Sequence, residues 1–346
     1  MKKQNIKKIL IFGHSNIGDI CYDMVVVNPL RNAFPQAKIS FITSPNGVDI
    51  ANTVKGIDQI IVFDKHGKDK GLWGYLRFMA MIRKEKFDFS LILRDVQMHY
   101  FFNIPNILKF KKNSYPNQGL HLAQKYLKFL ESQEIKARKP EFDFKFSDND
   151  LQYADDIFKQ NSAGDNGLRI GIMPLAAWPL KCWPIDNWNL LIEKLVKQMQ
   201  AKVFLFGRTG SSDWDKGIKQ KLSPKAISLI DQTTMSQSMA LLKSLDIFIG
   251  ADTSLLHLAS CMGIETIGLY GATDPDFIYP LFHKQNIVLS KAKLKCLPCY
   301  PGPEGGSCKA NEPAECMQAI SCDQVWQKIT EVINRQQNKR HSKEKA

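Results

Sequence analysis

Short apolar runs recur along this chain, separated by longer mixed segments, and they fall into two series with a polar interruption between them. The first series occupies residues 8–12, 38–43, 59–63 and 89–93. The second occupies 169–173, 202–206, 226–230, 246–250 and 265–270. Runs this short, joined by stretches long enough for a helix, predict βαβ units and parallel sheets. Helices are expected over about 19–34, 188–200 and 236–245. The interruption, 139–166, carries Pro140 and the polar clusters 147–150 and 161–165, which read as a linker. The chain has 346 residues, more than one hydrophobic core comfortably supports. Two α/β domains are therefore expected, over 1–160 and 161–335, followed by a basic disordered tail over 336–346.

The formal net charge of +13 points to an anionic partner: nucleic acid, a membrane surface or a phosphorylated substrate. The charge is spread along the chain, which a lysine-rich composition also explains. No zinc-finger spacing, recognition-helix pattern or ribonucleoprotein aromatic motif accompanies it, so no specific nucleic acid is expected. No apolar run approaches the roughly 20 residues of a spanning helix, and 9–12 is too short for a signal-peptide core. A cytoplasmic location is expected. Residues 72–82 are apolar and lead into the basic run 83–86. Because apolar positions surround that helix it reads as a core element, the alternative being a helix lying on a membrane interface.

In sheets of this kind ligands bind beyond the carboxyl ends of the strands, so the segments after each strand matter most. The run 249–260 ends a strand at Gly250, and Asp252, Thr253 and Ser254 are good N-cap residues for a following helix. Free amides at a helix start make an anion site; an ordinary cap is the plainer reading. The run 174–184 puts Lys181 on a loop at the same edge, where it would neutralise a leaving diphosphate or serve as a solvated charge. A third run, 207–213, is a turn of small residues after a strand, which lets a backbone approach a nucleotide closely.

Residues 13–19, Lys181-Cys182-Trp183-Pro184, 252–259 and Gly271-Ala272-Thr273-Asp274-Pro275 occur together in an order and spacing that resembles glycosyltransferase family 9, the ADP-heptose:lipopolysaccharide heptosyltransferases. The resemblance implies a GT-B type fold, two facing Rossmann-like domains with a central cleft, and an inverting, metal-independent transfer from ADP-heptose to the lipopolysaccharide inner core. Asp19 matches the family's general base, with Asn16, Gly18 and Asp23 on the acceptor side. Lys181 matches the lysine on the donor phosphates. Asp252, Thr253, Ser254 and His257 fall around the donor sugar and phosphates, and Gly207, Thr209 and Asp213 near the nucleoside. The implied partners are the nucleotide sugar and an anionic lipid-linked saccharide, which would place the enzyme on the inner face of the cytoplasmic membrane. The alternatives are another nucleotide sugar or acceptor, or a catalytically silent sugar-nucleotide-binding protein. The chain departs from the family after Asp19, where a Thr-Pro pair is usual. Asp23 stands one turn on, on the same expected helical face, where it would alter acceptor choice or the acidity of Asp19.

Five of the eight cysteines crowd into 296–322. Cys296-x2-Cys299-x8-Cys308-x7-Cys316 has the ligand count of a tetrahedral zinc site of structural kind, with free thiols or a disulfide as the alternative. The Asp-x-Asp of the polar linker, 148–150, reads as a helix cap.

Overall fold

The computed structural model describes residues 6–111, 119–161, 167–210, 217–299 and 308–344, with side chains through residue 338. It divides into two compact units, Met1–Phe146 and Ser147–Ala346. Each is built on a wholly parallel sheet, the two-domain α/β class expected.

In the first unit β1 (Lys8–Phe12), β2 (Lys38–Thr43), β3 (Gln59–Val62), β4 (Phe89–Ile92) and β5 (Asn106–Lys109) lie in the order β3-β2-β1-β4-β5. Ile9, Leu10, Ile11 and Phe12 are all buried because helices cover both faces of a parallel sheet, so the central strand reads as an unbroken apolar run. The helix expected over 19–34 is interrupted: Ile17–Asp23 and Val27–Ala33 are α-helical, and a 3₁₀ turn, Met24–Val26, joins them. The break leaves Pro29 in the first turn of the second helix, where its missing N–H removes no ladder bond.

In the second unit β6 (Arg169–Met173), β7 (Lys202–Leu205), β8 (Ile227–Ser228), β9 (Ile247–Ala251), β10 (Glu265–Tyr270) and β11 (Ile287–Leu289) lie in the order β11-β10-β9-β6-β7-β8. The first strand of this unit, β6, therefore neighbours its fourth, β9. That is the doubly wound arrangement, with its switch point between β6 and β9.

Three expectations about segments change. The boundary falls at Phe146/Ser147 rather than at 160/161, because Asp148–Asn161 is a helix packed on the helix Met235–Leu242. Ser236 Oγ donates to Asp150 Oδ1 at 3.3 Å, and the Tyr153 hydroxyl donates to the Gln232 carbonyl at 3.1 Å. Ser147 Oγ accepts from the Asp150 amide at 3.1 Å, so the Asp-x-Asp does sit in a capped helix start. The expected disordered tail continues instead as a helix, Cys322–Glu344. Val325, Ile329, Val332 and Ile333 anchor it on one face, and its Lys, Arg, Gln and Glu residues are good helix formers. Finally, the helix Gly71–Glu85 is not a core helix. Only Gly74, Phe78 and Ile82 are buried, while Trp73 is 83% exposed.

Candidate active site

At the switch point of the second unit, β6 runs into the 174–178 loop and the 3₁₀ turn Pro179–Lys181, while β9 ends at Ala251 before Asp252 and Thr253. The carboxyl ends of two neighbouring strands thus bring together residues far apart in sequence. Asp252, only 9% exposed, is the hub. Lys181 Nζ donates to its Oδ2 at 2.6 Å, and Thr273 Oγ1, from the loop after β10, donates to the same oxygen at 3.0 Å. His257 Nε2, one turn inside the helix Ser254–Cys261, donates to Oδ1 at 2.7 Å. Burial alone would raise the Asp252 pKa. The His257 and Lys181 bonds and charges more than offset it and hold the carboxyl well below the usual range. A buried carboxylate is tolerable only when its lone pairs are used in this way. The Lys181 loop is anchored in turn by Trp183, whose Nε1 donates to the Ile320 carbonyl at 2.8 Å.

Thr253 occupies the cap position of Ser254–Cys261, but its side chain makes no capping bond; Oγ1 donates to Met173 Sδ at 3.5 Å. The side-chain cap expected there is not formed. The first-turn amides of that helix carry the positive end of its dipole at the same edge as Lys181.

Gly207, after β7, has φ +152°, and a Cβ there would sit 2.9 Å from Leu175 Cδ1 in the Lys181 loop. Thr209 donates twice to Asp231, from its amide at 2.8 Å and from Oγ1 at 2.7 Å, and the Asp231 amide donates to the Gly207 carbonyl at 3.0 Å. Gly207 and Thr209 therefore form a second cluster beside the Lys181 loop and are not bonded to Asp252. Asp231 was not singled out in the sequence, although an acidic residue directly after an apolar run at the carboxyl edge was the available signal. Asp213 lies outside the described residues.

In the first unit the switch point lies between β1 and β4. Asp19 is half-buried in the first turn after β1, and Asn16 Nδ2 lies 3.4 Å from its Oδ2. Gly18 would meet nothing within 4 Å if it carried a Cβ. Asp23 lies one turn on from Asp19 in the same helix, Ile17–Asp23, but deeper. It is fully buried, accepting from the His14 amide at 2.6 Å and from His14 Nδ1 at 2.9 Å. Gly13 makes room for this, since a Cβ there would stand 2.8 Å from Asp23 Oδ2. Burial disfavours the His14 cation, but Asp23 and then Asp19 outweigh it, and the His14 pKa is raised. Burial, then the charges of Asp23 and Asp19, pushes the Tyr126 phenol well up. Arg94, just beyond β4, donates to Ser15 Oγ at 2.6 Å and ties the two strand ends together. His14 and Arg94 were missed, although both directly follow strands.

The sequence model of glycosyltransferase family 9 (heptosyltransferase) matches residues 98–303, more than half of the chain. The chain belongs to this family. As a member it is a glycosyltransferase, and so an enzyme. It is 21% identical over 306 residues to the lipopolysaccharide core heptosyltransferase OpsX of Haemophilus influenzae, covering 82% of this chain and 84% of that one. Its fold is similar to a family 9 glycosyl transferase of Veillonella parvula, with a TM-score of 0.77 at 16% identity over 96% of this chain and 99% of that one. It is also similar to the E. coli ADP-heptose lipopolysaccharide heptosyltransferase II, with a TM-score of 0.71 at 18% identity over 95% and 99%. These likenesses show the fold.

No disulfide joins any cysteine of this family 9 enzyme. Cys299 and Cys316 have raised pKa values, Cys316 to about 11, through burial first and then the neighbouring thiols, which include Cys296 and Cys308. The four expected zinc ligands thus share one neighbourhood. Among the described residues, however, no group of three or more His, Cys, Asp or Glu side chains is arranged to hold a metal. The 300–307 connection between Cys299 and Cys308 lies outside the described residues. The cluster adjoins the loop that carries Thr273: the Cys299 amide donates to the Ala272 carbonyl at 3.0 Å, and a Cβ on Gly271 would lie 2.9 Å from Cys316 Sγ.

Proposed function

We propose that this enzyme transfers a heptose, or a closely related sugar, from an ADP-sugar to the lipopolysaccharide inner core, with inversion at the anomeric carbon. The hub at Asp252 carries the reading. It fixes Lys181 at the carboxyl edge of the sheet, beside a helix start, which is where a diphosphate is best held. The names of OpsX and of the E. coli heptosyltransferase II support the donor and the acceptor.

In the proposed reaction an acceptor hydroxyl attacks the anomeric carbon while Asp19 takes its proton. The bond from that carbon to the diphosphate breaks, and its electron pair leaves on a β-phosphate oxygen. Lys181 and the amides near Thr253 and Ser254 stabilise the charge that develops there. Gly207, Thr209 and Asp213 are proposed to flank the nucleoside, with Asp252 and His257 holding the phosphate and sugar groups in place. Asn16, Gly18 and Asp23 lie on the acceptor side, Asp23 acting through His14. No step in this scheme passes through a metal. Cys296, Cys299, Cys308 and Cys316 are proposed to brace the loop of Thr273; a zinc among them would be detected by the metal content of the purified protein. The lipid-linked, anionic acceptor places the enzyme in the cytoplasm, at the inner face of the cytoplasmic membrane. Among the described residues no helix is long and apolar enough to cross it.

Thermal-shift measurements with ADP, ADP-heptose, UDP-sugars and GDP-sugars test the donor, because a ligand of the native state raises its apparent stability by mass action. Stabilisation by the ADP ligands alone is expected. Stabilisation by another nucleotide would overturn the donor, and no response to any would point to a silent protein.

A further inference from the structure

Ten large apolar side chains stand exposed among the described residues, and five of them are on the helix Gly71–Glu85: Leu72, Trp73, Tyr75, Leu76 and Met81. Two more, Tyr100 and Phe101, belong to the turn Met98–Phe101, which Arg83 ties to the helix by donating from Nε to the Phe101 carbonyl at 2.6 Å. Seven of the ten therefore belong to this helix and the turn bonded to it. At 100° per residue the buried positions Gly74, Phe78 and Ile82 form one stripe, and Leu72, Trp73, Leu76 and Ala80 fall on the opposite side. The side turned to solvent thus carries large apolar residues over the first turns, with Arg83 and Lys84 of the last turn on the same side. Scattered exposed leucines need no explanation, but seven large apolar side chains on one helix and the turn tied to it, a tryptophan among them, do.

The rim of this patch is basic. Between residues 65 and 86 seven Lys and Arg face two Asp and Glu. Lys65, Lys68, Lys70, Arg77, Arg83 and Lys84 are exposed, whereas Asp69 is buried and committed to Arg77 at 3.0 Å. A second copy of the same face would bring these cations against one another. An anionic lipid surface answers both features, accepting Trp and Leu among the acyl chains and Lys and Arg among the headgroups.

We propose that the solvent-facing side of the Gly71–Glu85 helix, with Tyr100 and Phe101, docks this enzyme on an anionic phospholipid bilayer. The inference goes beyond the transfer reaction; only its benefit, bringing the enzyme to its acceptor, rests on the lipid-linked substrate. The helix is about 22 Å long at 1.5 Å per residue, so it would lie in the headgroup region without crossing it.

Co-sedimentation of the full chain with vesicles tests this, using phosphatidylcholine alone and an equal mixture of phosphatidylcholine and phosphatidylglycerol. Binding to the anionic vesicles that weakens with salt is expected, with little binding to phosphatidylcholine. Trp73→Ser/Leu76→Ser should lower the partition coefficient about tenfold or more, and Arg83→Gln/Lys84→Gln by a similar factor. Equal binding of wild type and both variants would overturn the proposal, as would equal binding to the two lipid mixtures. Sedimentation velocity covers the rival occupant: a dimer abolished by the Trp73 and Leu76 changes, with vesicle binding unaltered, would assign the face to a second copy. ADP titration of the same variants separates the two readings. Unchanged affinity with lost vesicle binding is expected; lost ADP affinity would mean that the substitutions damaged the fold rather than a docking face.

Discussion

Lys181 and Asp252 stand 71 positions apart in sequence and meet at 2.6 Å with both side chains almost entirely buried. Two strand ends that adjoin only because the sheet is doubly wound make this contact. His257 and Thr273 complete the shell around the same carboxylate. The pair therefore serves the fold and the proposed chemistry together, and its removal should be felt in both.

Lys181→Ala is expected to lower kcat by about 10²-fold to 10³-fold, the scale for losing one preorganised group on a developing negative charge. It should also destabilise the fold. Breaking a buried pair costs about 3–5 kcal/mol when the partner is left bare, and the lower end is expected because His257 and Thr273 remain on Asp252. Steady-state kinetics and urea denaturation of the same preparation measure the two effects.

Stability should fall at acid pH through Asp252. Its folded pKa lies below its unfolded value, so it contributes stability above the ordinary carboxylate range and loses it as pH falls from about 4 toward its folded value. Denaturation midpoints of wild type and Asp252→Asn across that window check this. The variant should be less stable near neutrality and less sensitive to acid.

His14 has the opposite sign. Its folded pKa is raised, so its pairing with Asp23 stabilises fully below the ordinary imidazole value of about 6.5 and is lost as pH rises through the folded value. Wild type should therefore lose stability as pH rises above about 6.5 relative to Asp23→Asn, whose own profile should be flatter. Parallel profiles would show that the His14 charge is not held by Asp23.

The two aspartates of the first unit should separate by kind of effect. Asp19→Asn is expected to lower kcat by about 10²-fold to 10⁴-fold with little change in stability, as for loss of a general base on a half-buried position. Asp23→Asn should act mainly on stability, since it leaves His14 and the backbone amide behind it without a carboxylate. Paired kinetics and melting curves distinguish them.

The central strands were legible because burial on both faces writes them as unbroken apolar runs: β1, β2, β6 and β10 have the bounds read from the sequence. The edge strands β5 and β11 were not. Asn106–Lys109 is half-exposed and Ile287–Leu289 only three residues long, so neither carries that pattern. The placement of Lys181 and Asp252 after strands was legible, but their contact was not, since it depends on strand order. Helical spacing put Asp23 one turn beyond Asp19, where the helix Ile17–Asp23 has it; its full burial was not legible, because the room for it comes from Gly13. Apolar residues around the Gly71–Glu85 helix suggested burial on all sides, yet only the sheet side is covered.

Calorimetric titration of ADP into the purified enzyme, beside Lys181→Ala shown to be folded by its circular dichroism, tests the proposed donor site most directly. Saturable one-site binding to wild type is expected, weakened about tenfold or more in the variant, the scale of one charge-assisted hydrogen bond. Equal affinity in the two proteins would contradict a diphosphate site at Lys181.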